Sequence, residues 1–233
     1  KEGRGIRGIS GTDGSPLMDL QGNLYVAAAA KPADEVIPKP FDPAKPPTRY
    51  YAWMYGSIIK FPPAGGAVYY KSPDARPGDW PPAGAEKMMK LVSNLRGTEA
   101  LADGALWSRG GFTVTPASNW SVGGCGCYTS RFGLDYYGRV YVPDVGLFAV
   151  RVFDSAGNPV LTFGDYGNAD SVPGGRAEGG GGPAKAVSVP AIPLAWPVAV
   201  SVGRSGIYVS DFINRRLVRV DLAYAAEETV AVK

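Results

Sequence analysis

The sequence has no histidine, only two cysteines and a net charge of only +3. Without histidine, this chain cannot form Ser-His-Asp or Cys-His catalytic pairs, histidine-ligated zinc sites or histidine-ligated haem. Two cysteines are too few for a four-thiolate zinc or iron–sulfur site. The small net charge does not indicate a nucleic-acid or membrane surface, and no apolar run reaches the ~18 residues of a membrane-spanning helix.

Glycine and proline, by contrast, are abundant, with 32 and 21 residues respectively. The hydrophobic fraction of 45% and the aromatic fraction of 11% still supply material for a core, which argues against disorder of the whole chain. A chain of 233 residues fits a single all-β domain. We therefore expect residues 1–233 to form one domain or part of one.

The charged fraction is low, at 19%, and the polar residues are mostly small or aromatic. This composition favours a periplasmic or secreted protein. The chain begins at Lys1 rather than at methionine, so we expect a processed product or a fragment of a longer chain.

The two cysteines form the thiol pair Cys125 and Cys127, separated by one glycine. Such a pair can remain as two thiols, close a small-ring disulfide, bind a soft metal or bond to another chain. Flanking glycines permit the unusual backbone angles that a small ring requires. The sequence leaves these alternatives open.

Alternating apolar residues predict strands rather than helices along most of the chain. The clearest run contains strands at 138–144, 148–154 and 159–164, with the turn 155–158 predicting a hairpin. The one candidate helix, at 85–92, fits a strand end equally well.

These strands recur at fixed offsets. Tyr141, Asp144 and Asp154 correspond to Tyr208, Asp211 and Asp221, each 67 residues later, and 18–26 matches 134–142 at an offset of 116. The repeats predict blade-like units near 16–70, 100–165 and 190–230. The fragment 102–111 is similar to the strand that closes a unit.

Proline- and glycine-rich insertions separate the units, at 29–55, 71–95 and 171–190. Their proline-rich and glycine-rich stretches cannot form central strands, because proline removes ladder donors and glycine weakens strands. Loops of this length are often functional.

The pattern of a Gly-x-aliphatic-Tyr-Val-x-Asp strand followed by an Arg-containing strand ending in aspartate resembles NHL repeats. Gly206–Asp211 and Arg216–Asp221 carry it, and 211–215 is similar to the family's D-x-x-N-x-R turn. The resemblance implies a β-propeller of four-stranded antiparallel blades, of which about three are recognisable in this chain. Either strands that the pattern does not reveal complete the ring, or the remaining blades lie on another chain or another segment. The resemblance also implies that Asp144 and Asp211 are structural turn residues. The first unit departs from the pattern, with Ala28 in place of the aspartate.

An incomplete propeller exposes a sheet face, so we expect a protein partner or further blades of the same polypeptide to cover it. The expected function is a non-enzymatic NHL-type module for protein or ligand binding and scaffolding in a larger assembly, with no nucleic acid and no membrane span. The alternative is a calcium-dependent propeller hydrolase or lyase with part of its site on missing blades. Some enzymes related to this family depend on histidines, and this chain has no histidine that could take their place.

Two further residue groups are candidate sites, and no catalytic residues are predicted. An aromatic cluster in the first insertion is typical of partner contacts, or else covers that insertion's own small core: Arg49, Tyr50, Tyr51, Trp53 and Tyr55. A glycine-containing turn offers oxygen ligands for calcium, although such residues more often form simple turns: Asp165, Asn168 and Asp170. Arg131 and Asp135, close to the cysteines in the sequence, are expected to form a buried pair. No other cofactor is expected.

Overall fold

A computed structural model describes residues 5–8, 16–35, 55–72, 74–93, 98–113, 130–167 and 190–221. These ranges contain strands and one 3-10 turn, Ala85–Lys87, and the fold is all-β. In chain order the strands are β1 Ile6–Arg7, β2 Leu17–Met18, β3 Leu24–Ala28, β4 Ala30–Pro32, β5 Tyr55–Phe61, β6 Gly66–Tyr70, β7 Met89–Ser93, β8 Glu99–Asp103, β9 Trp107–Thr113, β10 Gly133–Leu134, β11 Val140–Asp144, β12 Ala149–Phe153, β13 Pro159–Phe163, β14 Asp165–Tyr166, β15 Pro193–Leu194, β16 Pro197–Gly203, β17 Gly206–Asp211 and β18 Arg216–Val220.

These strands form four stacked sheets, which we number by their place in the stack. The first sheet has the order β1-β6-β8-β7-β4 and the second β2-β3-β5-β9. The third has the order β10-β11-β12-β13, and the fourth has β16-β17-β18. All pairs in these sheets are antiparallel except β1–β6. The short parallel pair β14–β15 lies outside them.

The hydrophobic core lies between the sheets, in three clusters. Val26, Phe61 and Leu91 belong to the cluster between the first and second sheets. Tyr25, Trp107, Val140 and Phe153 belong to that between the second and third, and Tyr141, Val152, Ile207 and Val209 to that between the third and fourth. Each inner sheet is therefore buried on both faces, which explains its nearly continuous apolar strands.

Alternation along β11 shows how one strand serves two clusters. Val140 and Val142 point toward the second sheet, while Tyr141 between them points toward the fourth. Successive side chains of a strand leave opposite faces, so a single Val-Tyr-Val sequence fills both neighbouring clusters.

The predicted turn at 155–158 joins β12 to β13 and also contacts the second sheet. Lys60 Nζ and Trp107 Nε1 both donate to the Ser155 carbonyl, at 2.8 and 3.1 Å. Arg109 Nε donates to the Gly157 carbonyl at 2.6 Å. Gly157 has a φ of 83°, and a Cβ there would lie 2.8 Å from the Trp107 ring. Only glycine combines this backbone with this close approach.

The strands distribute between sheets differently from the predicted units. The predicted unit 16–70 supplies strands to two sheets, because β6 joins the first sheet while β3 and β5 remain in the second. The second sheet takes its fourth strand, β9, from the 100–165 unit. Residues 102–111 therefore include part of β9, which is an edge strand of the second sheet, as β13 is of the third sheet.

The insertions contain strands as well. Within 71–95, β7 is a central strand of the first sheet, so the 85–92 segment is a 3-10 turn followed by a strand. Within 29–55, β4 is an edge strand of the same sheet, the position that Pro32 permits. Residues 36–54 and 171–189 lie outside the described ranges.

Candidate functional site

An aspartate and a tyrosine form the same turn in the second and third sheets. Tyr25 Oη donates to Asp19 Oδ2 at 3.0 Å, and Tyr141 Oη donates to Asp135 Oδ2 at 3.2 Å. In both turns the other carboxylate oxygen accepts two backbone N–H groups. The 116-residue sequence offset therefore corresponds to a repeated three-dimensional unit.

Both tyrosines point toward the next sheet of the stack. Tyr25 belongs to the cluster between the second and third sheets, and Tyr141 to that between the third and fourth. The next sheet's own turn covers the Tyr25 hydroxyl, since a Cβ at Gly138 would lie 3.7 Å from it. Each tyrosine therefore marks the face on which the following sheet packs.

The third copy of this unit has no aspartate. Ile207 and Tyr208 stand 67 residues after Val140 and Tyr141. Leu134 pairs with Val140 and Val202 pairs with Ile207, so Gly203 takes the place of Asp135. Among the described residues, the Tyr208 hydroxyl has no hydrogen-bond partner. Tyr208 is partly exposed, whereas Tyr25 and Tyr141 are buried.

Among the described residues, no further sheet covers the outer face of the fourth sheet. We call this the Tyr208 face and define it by Ser201, Tyr208, Ser210, Leu217 and Arg219. Register places these residues together, because Ser201 and Arg219 flank Tyr208 across the ladders and Ser210 pairs with Leu217. The opposite face carries Ile207 and Val209 into the core. Leu217 is 66% exposed, while Val150, its equivalent in the third sheet, is 0% exposed.

A groove of about 530 Å³ runs from the Tyr208 face to the first strands of the neighbouring sheets. It is lined by apolar groups, hydroxyls and one guanidinium: Leu17, Arg131, Phe132, Ala199, Val200, Ser201, Tyr208, Ser210 and Leu217. A second cavity of about 420 Å³ includes Val202 and Arg204. That second cavity is also lined by Leu134 and Asp135 of the third sheet and by Gly203. A Cβ at Gly203 would lie 3.7 Å from the Tyr208 ring.

Positive charge surrounds this region. Arg131, Arg204 and Arg215 are exposed and form no ion pair with any residue that the structure describes. Arg216 and Arg219 pair with Asp211 and Asp221. The surplus of arginine favours an anionic ligand group.

Asp211 holds the turn between β17 and β18. Its Oδ1 accepts the N–H groups of Ala195 and Trp196, at 3.0 and 2.9 Å. Its Oδ2 accepts Asn214 Nδ2 at 2.6 Å and Arg216 Nε at 3.2 Å. This buried carboxylate therefore has four donors and a structural role in the described chain.

Asp144, at the equivalent position, is buried with fewer donors. Its Oδ1 accepts the N–H groups of Gly146 and Leu147, at 3.0 and 3.2 Å. Its Oδ2 accepts no hydrogen bond from described residues, because Leu147 and Ala149 replace the asparagine and the arginine of the other copy.

The Arg151 guanidinium partly neutralises the Asp144 carboxylate. Arg151 lies two residues after Ala149 and therefore on the same face of β12. Its Nη1 lies 3.7 Å from Asp144 Oδ2 and 3.4 Å from Glu35 Oε1, and it donates to the Gly110 carbonyl at 2.8 Å. Burial raises the pKa of Asp144 to about 7, against the opposing effect of the Arg151 guanidinium. Tyr55 Oη donates to Glu35 Oε1 at 3.3 Å, which completes the cluster.

The predicted aromatic cluster requires one correction. Tyr55 is 2% exposed and bonds to Glu35, so it belongs to the interior and is not a partner contact. Arg49, Tyr50, Tyr51 and Trp53 lie outside the described residues, as do Cys125 and Cys127.

The expected pair between Arg131 and Asp135 is also wrong. Asp135 instead pairs with Arg139, at 2.6 Å, because that residue follows in the same turn. Arg131 is exposed, and only its backbone is engaged, in a bridge to Ala199.

The calcium candidate is only partly described. Asp165 is exposed and accepts the Tyr166 N–H at 2.7 Å, while Asn168 and Asp170 lie outside the described ranges. No group of three or more His, Cys, Asp or Glu residues that could hold a metal forms among the residues that were placed.

Comparison with known proteins does not assign the chain to a family. No protein-family model matches the chain, and no curated protein shows significant similarity to it. In the described part of the chain, no helix is long and apolar enough to cross a membrane. The case for function therefore depends on the geometry.

Proposed function

We propose that the chain is a non-enzymatic β-propeller-type module that binds a protein partner through the Tyr208 face and acts within a larger assembly. One observation supports this proposal. The tyrosine-bearing face is covered by the next sheet in the second and third sheets, and it is open in the fourth. A face built for sheet packing and left exposed is a typical protein-interaction surface.

The arrangement of first strands supports the propeller part of the proposal. In a propeller, the first strand of each blade faces a common axis. Here β10 contacts both β2 and β16, so the first strands of three successive sheets lie side by side. The groove that includes Leu17, Arg131 and Ala199 follows this line.

A capture experiment tests the binding function. The chain would be immobilised unaltered, as Leu217→Asp and as Leu106→Asp, which changes a similarly exposed leucine on the β8–β9 turn. We expect the unaltered chain and the Leu106→Asp variant to capture a protein that the Leu217→Asp variant does not capture. A charge at position 217 would be buried by the partner and would oppose packing on the Tyr208 face. Circular dichroism would show that all three forms fold.

Native mass spectrometry of the purified partner with the unaltered chain would then show a defined complex. If every captured protein is retained equally by Leu217→Asp and Leu106→Asp, the Tyr208 face is not the binding surface and the proposal fails.

A further inference from the structure

We propose that the partner of the Tyr208 face is an acidic protein segment whose carboxylate accepts a hydrogen bond from the Tyr208 hydroxyl. This inference rests on the proposed binding function and names the chemistry of the partner. It commits to a separate protein rather than to a second copy of this chain or to a nucleic acid.

The first step is the missing carboxylate. Tyr25 and Tyr141 each donate to an aspartate of their own turn, at 3.0 and 3.2 Å. At the corresponding position before Tyr208, Gly203 has no side chain that could accept this bond. A tyrosine hydroxyl that becomes covered by a partner needs a hydrogen-bond acceptor, since burying it without one is costly. The partner must therefore supply it.

The second step is the arrangement of a covered tyrosine in the same stack. The turn that packs beside the Tyr25 hydroxyl belongs to the following sheet and contains Asp135, and a Cβ at Gly138 of that turn would lie 3.7 Å from the hydroxyl. A turn of the following sheet thus covers one tyrosine of the series. Continuation of the stack would place a segment of the partner over Tyr208 in the same way.

The third step is charge. Arg131 lines the groove together with Tyr208. Arg204 follows Gly203, at which a Cβ would lie 3.7 Å from the Tyr208 ring. Both guanidinium groups are exposed and form no ion pair with any described residue. Guanidinium and phenol groups together favour a carboxylate over a neutral amide, because hydrogen bonds to charged groups are the stronger ones. Leu217 and Phe132 add the apolar contact that a packed segment requires.

A peptide titration tests the inference. The probe is a fluorescent synthetic peptide of repeated Leu-Ser-Glu-Ser, which as a strand presents leucine and glutamate on one face. Matched peptides carry glutamine or lysine in place of glutamate. By fluorescence anisotropy, we expect the glutamate peptide to bind about tenfold more tightly than the glutamine peptide and the lysine peptide to bind least.

Variants of the chain separate the contributions. Tyr208→Phe and Arg131→Ala should each weaken binding of the glutamate peptide by about tenfold and leave the glutamine peptide nearly unaffected. Tyr69→Phe, on the first sheet, is the matched control and should bind like the unaltered chain.

Equal binding of the glutamate and glutamine peptides, or no loss in Tyr208→Phe, overturns the acidic-partner inference. So does the absence of binding by the glutamate peptide. If light scattering shows a dimer that Leu217→Asp dissociates, the face binds a second copy of the chain. If a single-stranded oligonucleotide binds more tightly than the glutamate peptide, the face binds nucleic acid. Each result also overturns the inference. The capture experiment with Leu217→Asp decides the proposed binding function separately.

Discussion

Arg151 Nη1 lies 3.7 Å from Asp144 Oδ2, two residues along the strand from the position at which Arg216 pairs with Asp211 in the other copy. Ala149 fills the Arg216 position, and Val218 fills the Arg151 position. Because side chains two apart on a strand share a face, an arginine reaches the aspartate in both copies. The longer approach leaves Asp144 less well compensated.

The pKa of Asp144 predicts a pH dependence of stability. Its pKa is about 7 in the folded chain and 3.8 in the absence of structure, so between these pH values the folded state binds more protons than the unfolded state. The free energy of unfolding should therefore fall as pH rises from about 4 to about 7. We expect the melting temperature of the unaltered chain to drop more between pH 5 and pH 8 than that of Asp144→Asn.

The control for this experiment is Asp154→Asn, which changes a turn aspartate whose pKa is lowered by its hydrogen bonds to Asn158. That carboxylate stays charged above pH 5, so its variant should keep the pH dependence of the unaltered chain. Identical pH profiles for the unaltered chain and Asp144→Asn would contradict the prediction.

Removing the tyrosine hydroxyls should affect the repeats unequally. Tyr25→Phe deprives the buried Asp19 carboxylate of a donor and should lower the free energy of unfolding by about 1–2 kcal/mol. Tyr208→Phe breaks no hydrogen bond among the described residues and should change it by less than about 0.5 kcal/mol. Urea unfolding monitored by fluorescence measures both values, and similar losses would show that Tyr208 has an internal role.

The Gly157 turn should not tolerate a side chain. Gly157→Ala combines a φ of 83° with a Cβ placed 2.8 Å from the Trp107 ring, so we expect a loss of about 2–3 kcal/mol in the free energy of unfolding. Ala156→Ser alters the preceding exposed residue and should be nearly neutral. The same urea titration compares them, and equal stability of the two variants would argue against this close contact.

Asn214 should stabilise the last turn. Its side chain donates to Asp211 Oδ2 at 2.6 Å and to the Gly167 carbonyl at 2.9 Å. Asn214→Ala removes both bonds and leaves a buried carboxylate with one fewer donor, at a cost of about 1–3 kcal/mol. Ile213→Ala is the control, because Ile213 is exposed. Thermal melting that does not distinguish the variants would contradict this role.

Much of the fold follows from local sequence patterns. The Val-Tyr-Val alternation predicts β11, and the turn at 155–158 predicts the hairpin of β12 and β13. The 67-residue offset also places Asp144 and Asp211 at equivalent strand ends. These features depend on neighbouring residues, which a sequence displays directly.

Other features depend on contacts that no local pattern marks. Ala29 separates β3 from β4, where the chain passes from the second sheet to the first, and a run of alanines gives no sign of the change. The contact between Glu35 and Arg151 spans 116 residues and has no periodic signal. The missing aspartate before Tyr208 acquires a meaning only from the hydrogen bond between Tyr141 and Asp135, which the sequence does not display.

The three hydrophobic clusters lie between sheets, and this has a consequence for cooperativity. Each sheet depends on its neighbours, so the energy of the stack is close to a sum of nearest-neighbour interfaces. The fourth sheet has one such interface in the described chain, whereas the second and third have two. Its strands should therefore exchange amide hydrogens through openings of lower free energy than β5 or β11. A ligand bound to the Tyr208 face would give the fourth sheet a second interface. Binding should therefore slow the hydrogen exchange of the β17 amides.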